Sequence, residues 1–180
     1  MQGARSRSAA RRAETTGGRA LVPVARGRQD NLPAALTGLV GRARDVAALT
    51  ARLAEARLLT LTGVGGVGKS RLALEVARAV RDRSVTEVWL VELAGVVEPS
   101  DVSSAVAAAV GAHDSGGRPL VETLIGRLAD RDVLLVLDNC EHLIDAAAEL
   151  TLTLLHACPN VRALTTSTEP LGISGEVVRR

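Results

Sequence analysis

The sequence at positions 63–70 is Gly63-Val64-Gly65-Gly66-Val67-Gly68-Lys69-Ser70. Residues 58–62, directly before it, are leucines and threonines and predict a buried strand. Apolar residues recur at helical spacing over residues 69–82, directly after it, and predict an amphipathic helix. Because four of the eight residues are glycine, the stretch itself predicts a tight turn with backbone conformations that other residues avoid. A strand, a glycine-rich loop and a helix are therefore expected in direct succession.

The spacing of these residues, G-x-x-x-x-G-K-S, is that of a phosphate-binding loop, or P-loop. In such a loop the backbone N–H groups point at a β-phosphate, the lysine contacts the β- and γ-phosphates, and the serine hydroxyl ligates Mg²⁺. Lys69 is the only lysine beside 21 arginines, so the single ammonium side chain stands where phosphate chemistry prefers one. The alternative is a glycine-rich turn before an ordinary helix. We assign nucleotide binding to Gly63, Val64, Gly65, Gly66, Val67, Gly68, Lys69, Ser70 and Arg71.

Strands alternate with helices along the rest of the chain. The apolar run Val133-Leu134-Leu135-Val136-Leu137 predicts a strand buried on both faces, as in parallel sheets. The alternation predicts an α/β fold of the P-loop NTPase class, with a parallel sheet flanked by helices. Further strands are predicted at 87–93 and 161–165, and further helices at 45–56, 99–110, 119–130 and 142–157.

Asp138 follows the most apolar of these strands. An acidic residue at the carboxyl end of a buried parallel strand faces the crevice where such sheets bind ligands, so Asp138 is expected to hold Mg²⁺ opposite Ser70, the Walker B role. The alternative is that Asp138 or Asn139 caps the next helix. Glu141 either positions an attacking water or only favours the positive end of a helix dipole. The candidate catalytic residues are thus Lys69, Asp138 and Glu141, and the candidate Mg²⁺ ligands are Ser70 and Asp138.

Two cysteines and two histidines have a spacing that resembles a zinc-binding motif. Cys140 and His142 lie at the start of the helix predicted at 142–157, and His156 and Cys158 lie at its other end. At 1.5 Å per residue the ends of this helix are roughly 24 Å apart, which is too far for one metal ion or one disulfide. Both cysteines are therefore predicted to be small apolar residues of a protein in a reducing compartment.

Residues 1–30 differ in composition from the rest of the chain. They hold seven arginines against Glu14 and Asp30, a net charge of +5, and show no apolar periodicity. This predicts a disordered basic tail, followed by one nucleotide-binding domain over residues 31–180. The tail is either a simple solvated segment or one that contacts nucleic acid or an anionic membrane loosely, and it also has the composition of a transit peptide. No secretory signal follows Met1 and no apolar run approaches the ~18 residues of a membrane span, so a cytoplasmic location without membrane contact is expected.

Several motifs occur in an order that is typical of one protein family. The chain resembles the nucleotide-binding (NB-ARC) domain of bacterial STAND ATPases, found in AfsR/SARP-like and LuxR-type transcriptional regulators. The resemblance covers residues 31–180. It rests on Asn31-Leu32-Pro33, Leu39-Val40-Gly41-Arg42, the P-loop, Asp138-Asn139-Cys140-Glu141-His142 and Glu169-Pro170-Leu171-Gly172.

The resemblance implies a switch. In that family ADP holds a closed state, ATP holds an open and often oligomeric state, and hydrolysis resets the cycle. It further implies that Leu39, Val40 and Arg42 lie on the adenine side of the nucleotide, that ATP or ADP with Mg²⁺ is the ligand, and that the chain can self-associate. DNA would be contacted only through other domains of a fuller regulator.

The chain departs from the family pattern in three respects, the least of which is Ala43 in place of the glutamate common after Val40-Gly41-Arg42. The family usually has an arginine that senses the γ-phosphate after the fourth strand, where this chain has Thr168. The family's nucleotide-binding region also continues beyond a fifth strand, of which residues 176–180 resemble the start, so the sequence suggests a domain truncated at its C-terminus. We therefore expect weak ATP hydrolysis at best. Two rival interpretations are an inactive remnant of such a regulator and a small P-loop kinase.

Overall fold

A computed structural model describes residues 29–34, 41–84, 86–113 and 117–180. Its described part contains a five-stranded sheet in the order β2-β3-β4-β1-β5, in which every pair of neighbours is parallel. The strands are β1 (Leu58–Thr62), β2 (Glu87–Glu92), β3 (Val133–Asp138), β4 (Val161–Ser167) and β5 (Glu176–Arg179). The predicted α/β fold with a parallel sheet is confirmed.

Helices cover both faces of this sheet. The described helices are α1 (Ala43–Glu55), α2 (Lys69–Arg83), α3 (Val102–Val110), α4 (Leu120–Leu128) and α5 (Ile144–Ala157), with short 3-10 helices at Leu93–Gly95, Pro99–Asp101 and Cys140–His142. Residues of α1 and α2 belong to one apolar cluster, and residues of α3, α4 and α5 belong to the other.

The interior strand β3 has apolar residues at five successive positions because both of its faces are covered. Val133, Leu135 and Leu137 pack into the cluster with α3, α4 and α5, whereas Leu134 and Val136 pack into the cluster with α1 and α2. Because successive side chains of a strand point to opposite faces, a sheet covered on both faces requires apolar residues at every position. All five are at most 2% exposed.

Some predicted element boundaries were wrong by a few residues. The helix predicted from residue 142 begins at Ile144, because residues 140–142 form a 3-10 turn first. The helix predicted from residue 99 likewise begins with a 3-10 turn, and its α-helical part starts at Val102. The second strand ends at Glu92, one residue earlier than predicted, and the fourth extends two residues further, to Ser167. Apolar periodicity does not register the turns at the ends of helices and strands, so it predicts these boundaries only to within a few residues.

The Asn31-Leu32-Pro33 segment lies along the outer edge of β2. Asp30 forms a parallel bridge with Val88, and the side-chain amide of Asn31 pairs with both backbone groups of Leu90, at 2.8 and 2.7 Å. This segment therefore supplies hydrogen bonds that the β2 edge would otherwise leave to solvent. Of the predicted tail, residues 1–30, the first 28 lie outside the described residues, whereas Asp30 at its end pairs with β2. The motif residues Leu39 and Val40 also lie outside the described residues. In the described part of the chain, no helix is long and apolar enough to cross a membrane.

Candidate functional site

The glycine-rich loop connects β1 directly to α2, as predicted. Gly66 and Gly68 have φ angles of +80° and +89°, a region that L side chains rarely adopt, and a Cβ atom built on either would meet no atom within 4 Å. Gly68 is also the residue that precedes the first turn of α2, and this helix start has no side-chain cap and no acidic residue in its first turn. The first N–H groups of a helix need acceptors, so an uncapped start beside open space suits an anion.

Lys69 lies over this loop. Its Nζ donates hydrogen bonds to the backbone oxygens of Gly63 at 2.7 Å and Val64 at 3.2 Å. An ammonium group has three protons, so two of them are used within the loop and a third is left for a phosphate oxygen. The half-buried ammonium is thereby held at the loop rather than extended into solvent.

A cleft opens between α1, β1, β5 and the start of α2. We call it the α1–β5 cleft. Its inner part has a volume of about 300 Å³, at the lower end of the range for small-molecule sites. Apolar side chains form part of its wall: Leu49, Leu59, Leu61, Leu72 and Val177. Its outer part runs along the P-loop residues Gly63, Val64 and Val67 and reaches Thr168.

The charges around the inner cleft are mainly positive. Among the described residues, one acidic side chain, that of Asp45, lines it together with five cationic side chains: Arg42, Arg52, Lys69, Arg179 and Arg180. An apolar wall beside such a rim suits a ligand with a flat apolar part and a polyanionic part, because guanidinium groups stack on planar rings and bind phosphates. A nucleotide combines both parts.

Asp138 is the last residue of β3, and its carboxylate is hydrogen-bonded to a residue near the end of β4. The Thr166 hydroxyl donates to Asp138 Oδ1 at 2.5 Å, and the Asn139 N–H donates to the same Thr166 oxygen at 2.9 Å. The other Asp138 oxygen has no hydrogen bond within the described residues. Asn139 directly precedes the 3-10 helix Cys140–His142, and Leu143 directly precedes α5. Neither helix start has a side-chain cap, so neither Asp138 nor Asn139 caps a helix through its side chain.

The chemistry of the predicted metal ligands fits Mg²⁺. This ion prefers oxygen ligands and binds through few protein groups together with substrate phosphates. Ser70 supplies a hydroxyl in the first turn of α2, and Asp138 supplies a carboxylate at the same carboxyl edge of the sheet. Because β4 lies between β1 and β3, the strand that leads to the P-loop and the strand that ends in Asp138 flank one common neighbour.

Glu141 and Cys140 lie just beyond Asp138. One oxygen of the Glu141 carboxylate is buried and has no hydrogen-bond partner among the described residues.

Burial and the neighbouring carboxylates of Asp138 and Glu141 raise the pKa of the Cys140 thiol to about 12. Cys140 and Cys158 are both free and buried, as predicted, and α5 separates them. The described residues hold no cluster of three or more metal-binding side chains.

A residue of β5 accepts hydrogen bonds from the backbone of the loop that follows β4. The Glu176 carboxylate accepts the N–H groups of Leu171 and Gly172, each at 2.8 Å, and Leu171 is buried in the core. The Glu169-Pro170-Leu171-Gly172 motif is therefore a turn that keeps Thr168 beside the P-loop. Thr168 itself is exposed and lines the outer cleft together with Arg42 and Arg180.

The structure thus places the predicted residues in two groups. The α1–β5 cleft brings together Arg42, Gly63, Val64, Val67 and Lys69. Asp138 ends β3, Glu141 lies in the 3-10 helix after it, and neither is among the residues that line the cleft. Arg71 is an exposed residue in the first turn of α2, and Val40 lies outside the described residues. Their roles remain predictions.

Sequence reasoning missed several residues beside these groups. Arg179 and Arg180 were identified only as part of a strand, because a cleft formed by β5 and α1 cannot be recognised from one element. Thr166 was missed although a signal was present. Thr165-Thr166-Ser167-Thr168 is a run of hydroxyl residues at the carboxyl end of a buried strand, the edge where ligands bind.

Comparisons with known proteins give one family and a set of regulators. The AAA domain family matches residues 52–173. A Mycobacterium tuberculosis protein named as an HTH-type transcriptional regulator is 46% identical over 132 residues, which are 73% of this chain and 15% of that protein. The regulatory protein AfsR of Streptomyces griseus is 33% identical over 152 residues, with 76% of this chain and 15% of AfsR covered.

A solved structure with a similar fold is that of a signal transduction ATPase with numerous domains, a STAND protein with a tetratricopeptide repeat sensor from Pyrococcus horikoshii. It has a TM-score of 0.56 and 14% identity, with 87% of this chain and 24% of that chain covered. At this identity the likeness concerns the fold alone. The chain spans about 15% of the length of the two regulators. The predicted P-loop fold and the predicted similarity to AfsR-type regulators are confirmed.

Proposed function

Since this chain belongs to the AAA domain family, we propose that it is the adenine-nucleotide-binding module of a STAND-type transcriptional regulator. The observation that carries the proposal is the P-loop geometry: an uncapped helix start and Lys69 lie beside a cleft with an apolar wall and a cationic rim. The regulator names of the Mycobacterium and Streptomyces relatives support the biological setting.

In this proposal the P-loop N–H groups and Lys69 bind the phosphates, and the α1–β5 cleft holds the base, with Arg42 on the adenine side. Ser70 and Asp138 would hold Mg²⁺, which neutralises phosphate charge when it is bound. Glu141 is the candidate for orienting a water molecule. DNA recognition would belong to other domains of a fuller regulator.

We further propose that ATP and ADP favour different states of the domain, as the NB-ARC resemblance implies. A ligand shifts a conformational equilibrium only through different affinities for the two states. The γ-phosphate is the only group that distinguishes the two nucleotides. Thr168 at the outer cleft carries no charge to contact it, so we expect a weak difference and slow hydrolysis.

Equilibrium titration of the purified chain with ATP, ADP and GTP in Mg²⁺ tests this function. We expect saturable binding of both adenine nucleotides, weaker binding of GTP, and different proteolysis patterns or sedimentation in ATP and in ADP. Equal binding of GTP would contradict the adenine assignment. Identical behaviour in ATP and ADP would contradict the switch. No binding by folded protein would favour the inactive remnant.

We predict that Thr168→Arg increases the preference for ATP over ADP. A guanidinium at this position of the outer cleft can contact a γ-phosphate, and a charge-assisted hydrogen bond contributes on the order of 1.5–3 kcal/mol, roughly a ten- to hundredfold change in relative affinity. The measurement is the ratio of the two dissociation constants. Thr168→Gln is the control, because glutamine adds length without charge. An equal ratio in both variants would refute the prediction.

A further inference from the structure

The Thr166 side chain has a fully determined hydrogen-bonding pattern. The Asn139 N–H can only donate, so Thr166 Oγ1 accepts there, and the hydroxyl proton is left for Asp138 Oδ1. Thr166 is 1% exposed, so water cannot substitute for either partner. One hydroxyl therefore fixes both the carboxylate of Asp138 and the backbone that follows it.

The backbone around this contact is held on both sides. On one side of Thr166, the β4 backbone pairs with Leu61 of β1, the strand that leads into the P-loop. On the other side, β4 pairs with β3 up to Leu137 and Thr165. Thr166 therefore lies on β4, the central strand, between the strand that leads into the P-loop and the strand that ends in Asp138. Pairing of β4 on both sides fixes the position of its backbone.

The hydrogen bond from Asn139 to Thr166 also stabilises the turn that follows Asp138. Asn139 has a φ angle of +68° and is the only non-glycine residue with positive φ in the described part of the chain. Such a left-handed turn costs energy for most residues, and asparagine tolerates it best. The bond from its N–H to Thr166 holds this turn, which carries the chain away from Asp138 into the 3-10 helix Cys140–His142.

We propose that Thr166 is a positioning residue for Asp138: its hydroxyl occupies Oδ1 and leaves Oδ2 as the carboxylate oxygen available to Mg²⁺. The proposal rests on the proposed function, because it requires a metal-nucleotide complex at this edge of the sheet. Hydrogen-bond partners of metal ligands orient those ligands, and their removal typically costs about 10–100-fold in metal affinity.

Thr166→Val tests this role because valine keeps the shape and removes the hydroxyl. We expect the gain in nucleotide affinity on adding Mg²⁺ to fall by roughly tenfold to a hundredfold, with the affinity in EDTA unchanged. Thr166→Ser keeps a hydroxyl and should restore the gain. Thr151→Val is the matched control, since Thr151 is 3% exposed and its hydroxyl has no partner among the described residues. It should leave the gain intact.

Two further readouts separate positioning from general stability. In the Asp138→Asn background, Thr166→Val should have no additional effect on the Mg²⁺ gain, because Thr166 acts through Asp138. Without nucleotide, amide hydrogen exchange at Asn139 should speed up in Thr166→Val and not in Thr166→Ser. Should Thr166→Val fail to fold, as judged by thermal melting, Thr166→Ala replaces it.

The outcomes distinguish this inference from the function on which it rests. Absence of nucleotide binding by the unmutated protein would overturn both. Normal binding by the unmutated protein, together with an unchanged Mg²⁺ gain in Thr166→Val, would overturn only the role of Thr166. Loss of the gain in Thr166→Ser despite its hydroxyl, or in Thr151→Val, would also overturn it.

Discussion

We expect Lys69→Ala to lower the affinity for ATP and ADP by roughly a hundredfold, with little change in the fold. The ammonium is held over the P-loop by the oxygens of Gly63 and Val64 and keeps one proton for a phosphate. A charge-assisted contact contributes about 1.5–3 kcal/mol, and the loss of the positive charge near several phosphate oxygens places the effect at the upper end. The dissociation constants are measured by titration, with Arg83→Ala at the other end of α2 as the control.

The unique lysine permits an independent check without mutation. An amine-specific reagent can modify only Lys69 and the N-terminal amine of this chain. Saturating nucleotide should protect Lys69 and leave the N-terminal amine reactive. Equal modification of Lys69 with and without nucleotide would contradict its proposed contact, even if the Lys69→Ala protein bound weakly for another reason.

We expect Asp138→Asn to remove most of the Mg²⁺-dependent gain in nucleotide affinity. A carboxylate is a strong ligand for Mg²⁺, whereas an amide of the same shape is a weak one, so the loss should reach about 10–100-fold. In EDTA the affinity should stay the same or rise slightly, because the mutation removes a negative charge near the phosphates. The measurement is titration of both proteins in Mg²⁺ and in EDTA.

Asp132→Asn provides the control for that result. Asp132 is an acidic residue just before the opposite end of β3, where it is half exposed and pairs with Arg162 at 2.7 Å. Its replacement removes the same charge far from the carboxyl edge and should leave both affinities unchanged. An equal loss for Asp138→Asn in Mg²⁺ and in EDTA would mean that Asp138 stabilises the fold rather than a metal ion.

The sequence allowed prediction of the elements whose patterns are local. The P-loop, β1 and α2 follow one another within about 25 residues, and the apolar run of β3 has few alternatives to a buried strand. Turn geometry was less predictable. The start of α5 was placed two residues too early because Asn139 adopts positive φ and a 3-10 turn intervenes, which apolar periodicity does not register.

Contacts between distant elements could not be predicted in the same way. The α1–β5 cleft forms because β5 pairs in parallel with β1. The sequence of neither strand indicates that the two are neighbours in the sheet. The bond from Thr166 to Asp138 likewise depends on β4 lying next to β3. The run of hydroxyl residues at the end of β4 indicated polar chemistry at that edge, but only the strand order identifies which carboxylate Thr166 contacts.

The central claim is that the chain binds adenine nucleotides through its P-loop, and thermal unfolding of the unmutated protein tests it most directly. Ligand at about 100 times its dissociation constant should stabilise the folded protein by roughly 2.7 kcal/mol, and raise the melting temperature by about 5–10 °C for a chain of this size. Millimolar ATP or ADP with Mg²⁺ should produce this shift in the unmutated protein and not in Lys69→Ala. An unchanged melting temperature in a folded protein, with either nucleotide, would contradict the account.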